Sequence, residues 1–233
     1  MILTDWLALV IGNSRFHWAY FHGKELQQTW DSSEAIIPDD WRHLCLYIAS
    51  VTKITSFPEH PYQRLIQLQD IPLKGLYSTL GVDRALALWG AMEVWGYPCL
   101  VIDGGTALTF TGANQHGEFQ GGAILPGLAL QLNSLAMGTA ALPGISLPET
   151  LPPIWAKSTP EAISSGVIYT VLEGISQFIA KWWAEFPQSP VIFTGGDGDI
   201  LKAYLTQLHP EIACQVKYDS NLVFWGMRSL VTS

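Results

Sequence analysis

The sequence predicts an α/β protein built twice, two successive mixed units with a cleft between the halves, and three observations carry that expectation. Apolar runs at 7–11, 99–102 and 191–193 each break into a glycine-bearing turn with a hydroxyl or amide beside it. These turns are Gly12-Asn13-Ser14, Asp103-Gly104-Gly105-Thr106 and Thr194-Gly195-Gly196. A three-strand pattern with short turns opens the chain and recurs from residue 99, and helical stretches separate the later strands.

Strands are expected at 7–11, 15–21 and 26–30, joined by Gly12-Asn13-Ser14 and His22-Gly23-Lys24, turns short enough for hairpins. A buried strand follows at 44–51 and a short helix at 61–68. Residues 83–95 place Leu86, Leu88, Trp89, Met92 and Val94 at helical spacing, stopped by Gly96-Tyr97-Pro98. Strands at 99–103, 107–111 and 118–124 repeat the opening meander. Pro126 begins a helical stretch over 128–135, and 140–153, rich in proline and without periodicity, reads as loop. A long amphipathic helix spans 159–186, entered through Ser158 or Thr159 with Glu161 in its first turn. The chain closes with a strand at 191–194, a helix at 199–208, a strand at 214–218 and a helix at 221–231. The boundary is placed at 78/79, giving halves of 1–78 and 79–233. No short-period repeat is visible, which excludes a solenoid.

Composition narrows the function classes. Of 233 residues, 48% are hydrophobic and only 14% charged, with ten tryptophans; soluble domains usually carry roughly 25% charge. The shortage predicts apolar surface covered by another subunit. A net charge of −8, with twelve basic residues spread thinly, argues against nucleic acid as a partner. Cys45, Cys99 and Cys214 lack zinc or disulfide spacing and read as free thiols in a reducing cytoplasm. No basic leader opens the sequence, and Gly90, Glu93, Gly96 and Pro98 interrupt its most apolar region, so neither export nor a membrane partner is expected.

Several residues suit phosphate chemistry. Glycines let backbone N–H groups approach phosphate oxygens, and Ser14 and Thr106 add hydroxyl donors; the plainer reading of any one turn is a hairpin corner. Asp103, after four apolar residues, is costly to bury without a cation or a set of donors, and reads either as a metal-facing carboxylate or as an Asx-type cap for Gly104 and Gly105. Asp83 and Arg84 likewise have two readings. One is a helix cap with a solvated neighbour. The other is a carboxylate that takes a hydroxyl proton, beside a guanidinium that grips a substrate carboxylate. The six histidines share no spacing, and Trp182-Trp183 reads as core or subunit contact.

The order and spacing of Gly12-Asn13-Ser14, Gly81-Val82-Asp83-Arg84, Asp103-Gly104-Gly105-Thr106, Gly121-Gly122-Ala123-Ile124-Leu125-Pro126-Gly127, Ala141-Leu142-Pro143, Ser158-Thr159 with Ser165-Gly166, and Thr194-Gly195-Gly196 resemble the type III pantothenate kinases. These belong to the acetate and sugar kinase, heat-shock ATPase and actin superfamily. The resemblance implies two ribonuclease-H-like α/β lobes with a cleft between them, the actin-like ATPase duplication. It implies ATP-dependent phosphorylation of pantothenate to 4′-phosphopantothenate, the first step towards coenzyme A, by a cytoplasmic homodimer using ATP with Mg²⁺ and a monovalent cation, K⁺.

By the same resemblance Asp83 is the catalytic proton acceptor, and Tyr77, Gly81, Val82, Asp83, Arg84 and Thr159 bind pantothenate. Val10, Ile11, Gly12, Asn13, Ser14, Arg15 and Thr106 contact ATP, and Asp103 binds the monovalent cation. One departure stands out. The family's first turn reads Asp-x-Gly-Asn-Thr/Ser, and Val10 occupies the aspartate position. Asp5, five residues away and so about 17 Å along an extended strand, does not replace it. Val10 therefore leaves an alternative open, a catalytically weakened member acting as a regulatory or accessory protein. A kinase or phosphatase acting on a sugar or polyphosphate is the other rival, against which Gly81-Val82-Asp83-Arg84 weighs.

Overall fold

A computed structural model describes residues 5–13, 15–34, 36–37, 39–52 and 60–232. By its contacts the chain divides into two units, Met1–Trp95 with Asn221–Ser233, and Gly96–Ser220. The sequence reading set the boundary at 78/79. In the contacts, the helix after that point and the C-terminal helix go with the first unit.

In the first unit, β1 (Asp5–Ile11), β2 (Phe16–His22) and β3 (Glu25–Ser32) form the expected meander, and β4 (Cys45–Ser50) and β5 (Gln63–Leu65) complete a sheet of order β3-β2-β1-β4-β5. β1 is buried along both faces, with Trp6, Leu7, Ala8 and Leu9 fully enclosed. On one face Leu7, Leu9, Trp18, Leu46 and Ile48 make a core completed by Ile37 and Leu44, where Trp18 stacks on Trp30. α1 (Val82–Trp95) and α6 (Leu222–Thr232) pack on each other through bare backbone. An added Cβ on Gly90 would collide with the Leu222 carbonyl and come 2.7 Å from Gly226 N.

In the second unit, β6 (Cys99–Gly104), β7 (Ala107–Ala113), β8 (Phe119–Pro126), β9 (Val191–Thr194) and β10 (Lys217–Tyr218) give the order β10-β9-β6-β7-β8. The first sheet runs meander, first strand, then two parallel strands, and the second repeats that order and those directions. The duplicated α/β architecture is thus present strand for strand. α2 (Leu128–Gly138), α3 (Thr159–Glu185), α4 (Gly198–Leu208) and α5 (Pro210–Ala213) surround it. Ile168, Leu172, Ile175 and Ile179, spaced on one face of α3, are sealed against Ile102, Phe110 and Phe193. α3 is long and apolar enough to cross a membrane, but half of its most apolar window is buried inside the protein, as in a core helix. Trp182 and Trp183 donate to the Ser189 hydroxyl and carbonyl, at 2.8 and 3.0 Å, which makes them packing residues.

Two expected elements differ. Residues 61–68, read as a helix, hold β5 and a 3₁₀ turn at Leu68–Asp70. Leu65 and Leu68 imitate a helical stripe, but the free edge of β4 takes the segment as a parallel strand, with Leu46 N bonded to Tyr62 O and Ile66 N to Ile48 O. The expected strand at 214–218 shrinks to β10 because His209 and Pro210 open the short helix α5 ahead of it.

Candidate active site

At the C-terminal end of β1 the first turn closes with Gly12 N bonded to Arg15 O at 3.1 Å. Ile11 is buried and Asn13 exposed, while Ser14 lies outside the described residues. Val10 is 5% exposed, paired with His17 on β2 and Ala49 on β4. Its aliphatic side chain offers no ligand to a metal. Arg15 is committed to Asp31 at 2.7 Å, and His17 meets the same carboxylate at 2.5 Å. Asp5 sits at the far end of the strand, where Tyr20 and His22 hold it at 3.0 and 2.9 Å, so it does not serve the turn.

The Gly81–Arg84 stretch opens α1. Asp83 is half-buried, and its Oδ1 accepts a 2.8 Å bond from Arg84 N. Burial pushes the Asp83 carboxyl above its ordinary 3.8, outweighing the opposing pull of the Arg84 amide and guanidinium. Asp83 thus sits in the first turn of α1 with its proton affinity raised by burial. Gly81 has to be bare, because a Cβ there would lie 2.5 Å from Asp83 Oδ1. Arg84 is 8% exposed and donates through Nη1 to the Tyr77 hydroxyl at 3.2 Å, so these two sequence-selected residues meet. Gly81 and Val82 also line a cavity of about 480 Å³ walled by Ser50, Val51, Thr52 and Gln67. Those four escaped sequence reasoning. For Ser50 and Thr52 the signal available was a fourth buried strand ending among hydroxyls.

In the second unit Asp103 pairs with Thr109 on β7 and Thr194 on β9. The following turn closes with Gly105 N bonded to Ala107 O at 3.0 Å and exposes Thr106, whose carbonyl accepts from Gly127 N at 2.9 Å. Asp103 Oδ1 lies in a cradle between two bare positions. A Cβ on Gly105 would stand 3.8 Å from it, and one on Gly195 would collide with it. The would-be Cβ of Gly195 also stands 2.5 Å from Gly104 O, so a carboxylate oxygen and a backbone carbonyl oxygen converge beside Gly195, oxygens of the kind a weakly hydrated monovalent cation takes in exchange for water. Among the described residues no three His, Cys, Asp or Glu side chains gather as a metal site. A transition-metal centre finds no support there. Thr159, exposed at the first turn of α3, belongs to this second unit, whereas Tyr77 and Gly81–Arg84 belong to the first.

A family model described as type III pantothenate kinase matches residues 63–181. A type III pantothenate kinase from Nostoc sp. is 43% identical over 263 residues, covering 99% of this chain and 95% of that protein. The chain belongs to the type III pantothenate kinase family. Its fold is shared more widely. A Campylobacter jejuni protein described as a Baf family transcriptional activator aligns with a TM-score of 0.65 at 21% identity, over 97% of this chain and 96% of that one. The activator of 2-hydroxyisocaproyl-CoA dehydratase from Clostridium difficile, with bound ADPNP, aligns with a TM-score of 0.56 at 10% identity, over 98% and 94%. At such identities the likeness concerns the fold alone. The residues at the head of α1 and along the Asp103–Thr106 turn are two of the seven motifs on which the sequence resemblance to this family rests.

Proposed function

We propose that the protein transfers the γ-phosphoryl group of ATP, taken as its magnesium complex, to the primary hydroxyl of pantothenate, giving 4′-phosphopantothenate for coenzyme A synthesis. The observation that carries this reading is Asp83: a half-buried carboxylate of raised proton affinity that directly follows Gly81 and Val82, two residues lining a cavity of about 480 Å³, and stands beside a buried arginine. Phosphoryl transfer passes through a loose transition state with little bonding to the nucleophile. Asp83 orients the hydroxyl and collects its proton late, and burial favours its protonated product state. Arg84, steadied by the Tyr77 hydroxyl, grips the pantothenate carboxylate as a fork, and Gly81 and Val82 form the adjoining wall. Thr159, in the second unit, is the further residue that the family resemblance assigns to pantothenate.

On the nucleotide side, Gly12, Asn13, Ser14 and Thr106 supply hydroxyl and backbone donors to the phosphates, flanked by Val10, Ile11 and Arg15. Magnesium arrives with ATP as part of the substrate, because Val10 provides it no ligand. Asp103 holds a potassium ion, which supplies positive charge near the phosphates. The enzyme works in the cytoplasm as a homodimer. Ile154 and Trp155 are 55% and 86% exposed although their loop is anchored, with Tyr169 and Ser165 donating to Pro152 O and Ile154 O at 3.0 and 2.8 Å and Tyr204 donating to Pro148 O. A loop held in order while presenting large apolar side chains fits a subunit contact, as does Met137 on α2 at 84%. The accessory-protein alternative rests on Val10 alone, and the family relationship does not favour it. A coupled assay of ADP release, with pantothenate and potassium each present or omitted, tests the proposal. Release that requires pantothenate is expected, and pantothenate-independent release would reject it.

A further inference from the structure

We propose that Gly195 is a positioning residue for the cation site, its bare α-carbon fixing the direction in which Asp103 presents its carboxylate. This rests on the reading of Asp103 as the ligand of a monovalent cation. Asp103 and Thr194 are register partners on parallel strands, so the next residue, Gly195, crosses directly beside the Asp103 side chain. Gly195 holds φ at +83°, a conformation in which a Cβ would run into Asp103 Oδ1 and stand 2.5 Å from Gly104 O. The backbone on both sides of the contact is tied. Gly104 O is pinned by Asp197 N at 2.8 Å, and Gly195 O accepts from Gly198 N at 3.2 Å as the turn enters α4. The movable part is the Asp103 carboxylate, which would swing away from its cradle. On its other side the would-be Cβ of Gly105 stands at an ordinary 3.8 Å, so the constraint is one-sided and belongs to Gly195.

The probe is potassium itself. The melting temperature of the whole protein with MgADP is followed as KCl replaces choline chloride at constant total salt, beside the potassium dependence of turnover. In the wild type potassium raises the melting temperature, as any ligand of the native state does. Gly195→Ala is expected to weaken the potassium dependence of both readouts at least tenfold, with KM for pantothenate changed less than threefold. Gly121→Ala is the control for backbone strain: φ is +142° there, no atom lies within 4 Å of the would-be Cβ, and the response to potassium should stay intact. Asp103→Asn should abolish the response, and adding Gly195→Ala to it should change the response no further, because the two act as one unit. A normal potassium response in Gly195→Ala overturns the proposal while leaving Asp103 as the ligand. A normal response in Asp103→Asn overturns the reading of Asp103 beneath it. Should Gly195→Ala not fold, Asp103→Glu carries the test. Its carboxylate stands one methylene beyond the position that Gly195 leaves open, so a tenfold weaker response is expected and an unchanged one overturns the proposal.

Discussion

Replacing Asp83 with asparagine separates its two duties. The Oδ1 that accepts from Arg84 N at 2.8 Å survives as the amide oxygen, so the first turn of α1 keeps that hydrogen bond. Only the charge and the capacity to take a proton are lost. General-base work is worth about two to four orders of magnitude in turnover, or roughly 2.7–5.4 kcal/mol of barrier at 1.36 kcal/mol per tenfold. Stability should move the other way. A carboxyl whose folded pKa lies above its unfolded value costs stability once pH rises through the unfolded value, because the folded chain holds the ionised form less readily. At pH 7, above the unfolded value, wild-type Asp83 bears that cost, and Asp83→Asn does not. The variant should therefore melt no lower than the wild type while kcat falls 10²- to 10⁴-fold and KM for pantothenate stays within about threefold. Steady-state kinetics with calorimetry on the same preparations read both quantities. Turnover within fivefold of wild type would refute the base, and a melting temperature well below wild type would show that Asp83 is chiefly structural.

The acidic limb of kcat/KM should lie above the range of an ordinary aspartate, since the base must be ionised to act and burial raises its pKa; a flat profile down to pH 4 would contradict this. Val10→Asp puts a carboxylate at a position only 5% exposed, whose cross-strand neighbour His17 is already bound to Asp31. At about 1–3 kcal/mol and 2–4 °C per kcal/mol for a chain of this length, the melting temperature should fall by about 2–12 °C, and MgATP should recover part of it. Gly90→Ala forces α1 and α6 apart at the Leu222 carbonyl and should cost about 1–3 kcal/mol or more, read as a lower urea midpoint with unchanged slope. Trp155→Asp should convert a dimer to a monomer in sedimentation while leaving the melting of each subunit nearly unchanged, because the side chain is 86% exposed.

Much of the fold was legible because each strand of the two meanders ends on a residue that stops it, Gly12, Gly23 and Gly117 among them, and because α3 repeats its apolar face over seven turns. β5 was misread since Leu65 and Leu68 share helical spacing, and only the open edge of β4 decides between strand and helix. Asp83, Arg84 and the Asp103 turn could be chosen from local chemistry, a carboxylate in an apolar setting or at a helix start. Gln67 could not, because what assigns it is a cavity wall assembled from segments separated in sequence. Gly195 was visible as a turn residue, but its closeness to Asp103 follows from the pairing of β6 with β9.

The most direct test locates the phosphate on the product. The purified protein with MgATP, pantothenate and potassium should yield, by phosphorus–proton correlation NMR, one phosphate monoester coupled to the methylene of the primary alcohol, and Asp83→Asn should yield almost none. Phosphate released to water with pantothenate unchanged, or an ester on the secondary alcohol, would contradict the account.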